Sequence, residues 1–452
     1  MIELIKKYNV PVPRYTSYPT VPFWDKKAPE HSQWLNVVKK IFDESNNTEG
    51  ISIYVHLPFC ESLCTYCGCN TRITKNHKVE EEYIEALLAE WKIYLSTFIE
   101  KPIIRELHLG GGTPTFFSPE NLDFFIKELL KKAAVHPKYE FGFEGHPNNT
   151  TKKHLQVLYD LGFRRVSYGI QDLDLKVQKT INRIQPFDNV KQATIDAREI
   201  GYTSVNFDLI YGLPYQTSNT VANTINSISE LLPDRIAYYS YAHVPWIKPG
   251  QRSYTKADLP DNEEKRELYE IGKSMLIELG YVDVGMDHFS LTTDALFIAS
   301  ENEKLHRNFM GYTTSNTSLM VGLGASSISD AKYAYAQNLK TVEEYKGAVL
   351  KNSLAVFKGH FLSDEDLSVK QLILDVACKG KGEVKVLRNH VLWSDIKEQI
   401  NEMEAEGLLI QLDNHIKVTS LGRAFLRNIC AVFDIKLKQS ANSSKQIFSK
   451  SI

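Results

Sequence analysis

Between residues 50 and 242, short β-rich runs alternate six times with longer amphipathic stretches, which is the rhythm of repeated βα units. The runs are Ile51 to Leu57, Ile104 to Gly110, Tyr139 to Glu144, Arg164 to Ile170, Ser204 to Ile210 and Asp234 to Ala242. Helical patterns fall between them at Val79 to Tyr94, Pro119 to Ala133, Lys152 to Leu161, Val190 to Ile200 and Val221 to Leu232, with Gly162 and Gly201 as stop signals after two of them. Parallel strands joined this way cross over with a right hand. The expected fold class is therefore α/β, a partial (β/α)6 barrel whose active face lies at the C-terminal ends of its strands.

The rest of the chain is read as two appendages. Residues 1–45 form an arm with Pro11, Pro13 and Pro19 around Arg14-Tyr-Thr-Ser-Tyr18, expected to run extended over the surface. Residues 46–345 are read as the main domain, built on these βα units. Residues 346–452 read as helix (Asp364 to Ala377), helix (Ser394 to Glu406), hairpin (Leu408 to Val418, turning at Asp413-Asn414) and helix (Gly422 to Phe433), a mostly helical, winged-helix-like order. The closing QSANSSKQIFSKSI is polar and is read as frayed. With Lys+Arg 53 against Asp+Glu 55, the net charge of −2 lacks the broad basic field that nucleic acid or an anionic membrane attracts, so neither is an expected partner. MIELIKKYNV has no long apolar core, and no run of about eighteen apolar residues occurs, so the expected location is cytoplasmic.

Four of the six cysteines, Cys60, Cys64, Cys67 and Cys69, fall within ten residues directly after the first strand, while Cys378 and Cys430 stand alone. In a reducing compartment such a group reads as ligands for a soft metal rather than as a disulfide framework. C-x3-C-x2-C is too tight for two zinc knuckles and suits one [4Fe-4S] cube held through Cys60, Cys64 and Cys67, with one iron left for chemistry. The competing reading is a structural zinc on all four sulfurs, which a C-x-C pair chelates awkwardly.

This cysteine spacing after a first strand resembles the signature of the radical S-adenosylmethionine (SAM) superfamily. The fourth cysteine in CGCN, PRYTSYPT, GGGTPT at Gly110 to Thr115, DLIYGLP at Asp208 to Pro214, YAHVP at Tyr241 to Pro245, GMDHF at Gly285 to Phe289, HRNF at His306 to Phe309 and RNIC together resemble the oxygen-independent coproporphyrinogen III oxidase (coproporphyrinogen dehydrogenase) family over nearly the whole chain. The resemblance implies a radical SAM barrel and an oxidoreductase of haem biosynthesis. Its reaction turns two propionates of coproporphyrinogen III into vinyl groups, giving protoporphyrinogen IX, through a 5'-deoxyadenosyl radical. It implies the [4Fe-4S] cluster and two SAM molecules per chain. Tyr54, Gly111, Glu144 and Ile328 would serve the SAM on the open iron, and Tyr66, Gly112, Thr113, Gln171, Arg183, Asp208 and Ala242 the second. Cys69 would not be a ligand. Arg14 and Arg307 are candidates to pair with substrate carboxylates. The implied partners are coproporphyrinogen III and a flavodoxin- or ferredoxin-type electron donor, with a monomer expected.

Two positions depart from the family pattern: His146 stands before Pro147 where an acidic residue is expected, and Met310 follows HRNF where glutamine is expected. A thioether cannot donate the hydrogen bond that an amide does. Two other readings compete with the enzyme. A related haem chaperone would typically lack the fourth cysteine and the arm, and a DNA-binding regulator would use the winged helix. The arm's prolines, tyrosines and Arg14 are read as a lid over the substrate, against the alternative of a passive clasp.

Overall fold

The computed structural model describes residues 2–440 and 448–450. By packing, the chain forms two units: one comprises residues 25–281 and 315–360, the other the residues up to 24, 282–314 and those from 361 onward. The stretches 1–45, 46–345 and 346–452 describe order along the chain, and each unit draws on more than one of them.

The larger unit carries six parallel strands in sequence order: β1 (Ile51–Leu57), β2 (Ile103–Gly111), β3 (Ala134–Gly145), β4 (Arg165–Gln171), β5 (Ser204–Tyr211) and β6 (Arg235–Ser240). These are the six expected runs, and the partial (β/α)6 barrel follows from them. The sheet continues beyond β1 through four strands that the sequence reading did not anticipate: β7 (Met320–Leu323), parallel to β1, then β8 (Ile328–Asp330), β9 (Ala334–Asn338) and β10 (Val356–Phe361). Ile51, Ile53, Val55 and Leu57 of β1, Leu107 and Leu109 of β2, and Val205, Phe207 and Leu209 of β5 are all at most 1% exposed, as expected where helices cover a parallel sheet.

Crossover helices start where the sequence supplies caps. Ser118 accepts from the Asn121 N–H to open α1 (Pro119–Leu130), and Thr151 and Thr217 form capping boxes at α2 (Lys152–Asp160) and α4 (Ser218–Ser229). Gly201, at φ 113°, ends α3 (Phe187–Ile200) in the left-handed conformation its position as a stop signal implied. The register then sets the site: Glu144 lies beside Ser167, Ser167 beside Asn206, and Gly169 beside Asp208.

In the second unit the arm is not wholly extended: Ile2–Tyr8 is helical. Tyr8, Tyr15 and Tyr18 are buried in that unit's core with Val369, Ile373, Phe425 and Ile429, and the Tyr15 hydroxyl donates to Asp434 at 3.1 Å. Helices Asp364–Lys379 and Trp393–Ala405, with a three-stranded antiparallel sheet of Lys381–Glu383, His415–Val418 and Leu409–Leu412, give the winged-helix-like order. Most of the reading of the closing tail falls on 441–447 and 451–452, outside the described residues. Among the described residues no helix is long and apolar enough to cross a membrane.

Candidate active site

The polypeptide leaving β1 carries the cysteines over the C-terminal ends of the strands, where a cavity of about 530 Å³ opens. Cys60, Cys64, Tyr66, Cys67, Gly111, Gly112, Thr113, Glu144, Gln171, Arg183 and Asp208 all line it, although they come from segments scattered over some 150 residues. Cys69, His146, Asn148 and Ser167 line it as well.

The glycines at the end of β2 have a local reason. Gly111 has φ 113°, and a Cβ there would lie 2.7 Å from the His56 ring; one on Gly112 would lie 2.5 Å from the Pro58 carbonyl oxygen. The Gly112 and Thr113 N–H groups donate to the carbonyls of Leu57 and Phe59, at 2.8 and 3.0 Å. The close approach the glycines permit is thus first of all between β2 and the start of the cysteine loop. The far end of that loop is pinned through His56, whose Nε2 lies 2.8 Å from the Asn70 carbonyl.

Glu144 is held by the Gly111 N–H at 3.1 Å and by His108 Nε2 at 3.6 Å, with 43% of its side chain open to the cavity. Burial pushes its carboxyl up, but the hydrogen bond and charge of His108 and the Gly111 N–H outweigh this and hold it below the ordinary carboxylate value. Asp208 accepts from Ser167 Oγ at 3.0 Å and Asn206 Nδ2 at 2.9 Å; burial, then the nearby charge of Glu144, push it up to about 6. Arg183 donates to the Gly169 carbonyl at 2.5 Å and reaches Cys64 Sγ at 3.6 Å, leaving its Nε buried without an acceptor. Gln171 stands at φ 67°, uncommon for a residue with a side chain, at the bulge that ends β4. Behind it, buried Asp172 accepts from Gln216 Nε2 and the Asp174 N–H, both at 2.6 Å, and Gln178 and Gln185 donate to the carbonyls of Asp172 and Ile170.

Three of the residues expected to serve SAM, and both arginines expected to meet substrate, do not line the cavity. Tyr54 lies on β1 with its hydroxyl 3.2 Å from His56 Nδ1 and its ring stacked 6.1 Å from that of His108. The Ala242 carbonyl accepts from Gln251 Nε2 at 3.1 Å, and Ile328 begins β8, opposite Gln337. In the other unit, Arg14 pairs with Asp287 at 3.5 Å. Its carbonyl accepts from Arg307 Nε and Nη2 at 3.3 and 3.2 Å. Arg307, 5% exposed and 4.5 Å over the Tyr312 ring, keeps Nη1 buried without an acceptor. His56, His108, Ser167, Asn206 and Asp172 were not singled out from the sequence. Their signal was a polar side chain inside an otherwise apolar strand, or directly after one.

The donor set fits an iron-sulfur cube. Three cysteines line the cavity, with Thr113 Oγ1 3.3 Å from Cys60 Sγ and the Arg183 guanidinium against Cys64 to compensate thiolate charge. A four-iron cube takes one thiolate per iron, so three cysteines of one loop can each meet a different iron. The set of cavity groups also suits an amino acid's ends, with carboxylates for an ammonium and a guanidinium for a carboxylate.

Residues 54–228 match the model of the radical SAM superfamily. The oxygen-independent coproporphyrinogen III oxidase of a Synechocystis species is 35% identical over 100% of this chain and 97% of its own length. That of Escherichia coli K12 is 34% identical over 97% and 96%. The solved structure of the Escherichia coli coproporphyrinogen III oxidase (HemN), described as a radical SAM enzyme, matches with a TM-score of 0.87 at 33% identity, covering 96% of this chain and 98% of that one. With a full-length likeness in sequence and fold, and with the cysteines of a [4Fe-4S] cluster and a cavity suited to SAM, this chain belongs to the oxygen-independent coproporphyrinogen III oxidase family of the radical SAM superfamily.

Proposed function

We propose that this chain oxidatively decarboxylates two propionate side chains of coproporphyrinogen III to vinyl groups, yielding protoporphyrinogen IX in haem biosynthesis. The observation that carries the reading is the meeting, in one cavity, of Cys60, Cys64 and Cys67 with Glu144, Gln171, Arg183 and Asp208 from four different segments. When bound, the cluster and SAM would supply the one-electron radical chemistry that oxidises the propionate β-carbon and lets CO2 leave.

The chain's own residues bind, orient and shield. Cys60, Cys64 and Cys67 hold the cluster, with Cys69 outside the ligand set. Glu144, ionised because His108 and the Gly111 N–H hold it so, receives the ammonium of the SAM on the open iron, with Tyr54, Gly111 and Ile328 beside it. A second SAM is held by Asp208, Arg183 and Gln171 with Tyr66, Gly112, Thr113 and Ala242, so that two SAM molecules bind per chain. Arg183, which has one unused buried N–H, suits a carboxylate there. Arg307 Nη1, likewise without an acceptor, and Arg14 suit two of the substrate's carboxylates. His146 holds no charge near neutral pH, because burial and the Arg183 charge push it down to about 3, so it replaces an acid by a neutral group. The enzyme acts as a cytoplasmic monomer served by a flavodoxin- or ferredoxin-type donor.

The test is anaerobic reconstitution followed by mass spectrometry after incubation with coproporphyrinogen III, SAM and a reductant. A product lighter by two CO2 and four hydrogens is expected. SAM cleavage with substrate left intact over many turnovers would overturn the reading.

A further inference from the structure

One loop, His243 to Ser253, straddles the cysteine loop from outside the cavity. Gly250 packs onto it, a Cβ there falling 3.2 Å from the Thr65 carbonyl and 3.6 Å from Leu63 Cδ2. Gln251, 1% exposed, donates to the carbonyls of Tyr66 and Ala242 and accepts from the Val244 N–H at 2.5 Å. Lys248 Nζ donates to the Cys69 carbonyl at 3.2 Å. At the turn of this clamp, where the N–H groups of Ile247 and Lys248 both bond the Val244 carbonyl, Trp246 and Ile247 are 58% and 63% exposed. Leu63, next to Cys64, is 43% exposed and stands at the rim, where it also lines the cavity. Neither Trp246 nor Ile247 lines the cavity, so their exposed surface is not explained by what the cavity holds.

Exposed cations outnumber acids in the segments that meet here: Lys75, Lys78, Lys176, Lys179, Arg252 and Lys256 stand against Glu61 and Asp258, while Arg72 is paired with Glu343 at 2.9 Å. An exposed aromatic centre in a cationic surround suits a transient protein partner of opposite charge.

We infer that the face centred on Leu63, Trp246 and Ile247 is the docking site of an acidic one-electron carrier protein that reduces the centre held by Cys60, Cys64 and Cys67. The inference rests on the proposed function for its need of an electron. Each encounter moves one electron from the reduced carrier, which is oxidised, to the cluster, which is reduced, and no bond is made or broken in either protein. The clamp explains why the site is there: the loop that presents the docking residues also holds the carbonyls of Tyr66 and Cys69, on either side of Cys67.

The test compares 5'-deoxyadenosine formation by the full-length reconstituted enzyme driven by reduced flavodoxin with that driven by dithionite. Two variants are used, Trp246→Glu with Ile247→Glu, and Lys75→Glu with Lys179→Glu; the second leaves every hydrogen bond of the clamp in place. Expected is a loss of at least 10-fold with flavodoxin in both variants and less than 2-fold with dithionite, with the wild-type flavodoxin rate falling steeply as salt rises. Equal losses with both reductants in both variants would mean that the face serves the cluster's integrity and would overturn docking. No loss with flavodoxin would also overturn it. A raised KM for coproporphyrinogen III under dithionite, with flavodoxin dependence unchanged, would assign the face to the anionic substrate instead. Because the readout is SAM cleavage, docking can hold while the decarboxylation reading fails, and the two failures are distinguishable.

Discussion

Glu144 and Glu90 are both carboxylates deep in the larger unit, yet they sit in opposite circumstances. Glu90, on the helix Val79–Thr97 and 0% exposed, accepts from the Gly324 N–H at 2.9 Å, Asn338 Nδ2 at 2.7 Å and the Tyr345 hydroxyl at 2.6 Å. Those bonds tie the helix to the turn before β8, to the end of β9 and to the helix Val342–Val349. Burial nevertheless dominates and pushes its carboxyl up to about 7. Glu144 is held below the ordinary value and keeps 43% of its side chain open to the cavity. One acid is spent on internal bonds, while the other is kept ionised with valence to spare. A buried titratable group marks a binding site when its partners leave part of it unused, and burial alone does not separate the two cases.

The comparison extends to the cysteines, where the largest effect is expected. Changing Cys60, Cys64 or Cys67 to Ala should abolish both the cluster absorbance and SAM cleavage, whereas Cys69→Ala should keep the iron. Iron quantitation on the four variants decides, and equal iron loss in Cys69→Ala would break the three-ligand assignment.

Strand-end groups come next. Asp208→Ala should weaken a SAM that is not on the cluster by roughly 10- to 100-fold, the scale of a charge-assisted hydrogen bond, and leave iron content unchanged. Equilibrium binding to the anaerobic protein should fall from two equivalents to one. In the wild type this second equivalent should weaken as pH falls through about 6, where Asp208 takes up its proton. Stoichiometry that starts at one and does not respond to Asp208→Ala would contradict the two-site reading.

Glu90 offers the reverse control. Because its folded-state value is raised, the folded protein binds the proton more tightly, and stability falls as pH rises from about 4.5 to about 7 and is level above that. Glu90→Gln removes this term, so the variant should gain up to about 3 kcal/mol relative to wild type between pH 5 and pH 8 in chemical unfolding. A stability difference independent of pH would show that Glu90 does not titrate there.

How far the sequence disclosed all this depended on how local each signal was. The strands β1 to β6 were legible because buried parallel strands read as apolar runs between capped helices, and β1 begins and ends where the pattern put it. β7 to β10 were not, since MVGL and ISD are too short for a period to show. The helix at Ile2–Tyr8 was hidden by the prolines that follow it. Of the site, the cysteines and the polar strand ends were legible. His108 was not, because nothing in RELHLGG tells that its imidazole will meet a carboxylate 36 residues later; only the β2–β3 pairing brings the two together. The segment 282–314 packs with residues from both ends of the chain, a long-range choice that no local pattern carries.

The smallest effect concerns Met310, which lies in the turn between His306–Asn308 and Gly311–Thr313. Met310→Gln restores an amide donor and should lower the KM for coproporphyrinogen III by about 2- to 5-fold, the scale of one neutral hydrogen bond, with kcat unchanged. An unchanged KM would show that this position does not meet the substrate.

The central claim, that groups gathered at the strand ends direct a radical at the propionate β-carbon, is tested most directly by isotope transfer. Coproporphyrinogen III carrying deuterium at those β-carbons is turned over anaerobically, and the 5'-deoxyadenosine is examined by mass spectrometry. One deuterium in each 5'-deoxyadenosine, with one 5'-deoxyadenosine per vinyl group formed, is the predicted result. Vinyl product formed alongside 5'-deoxyadenosine without deuterium would contradict it.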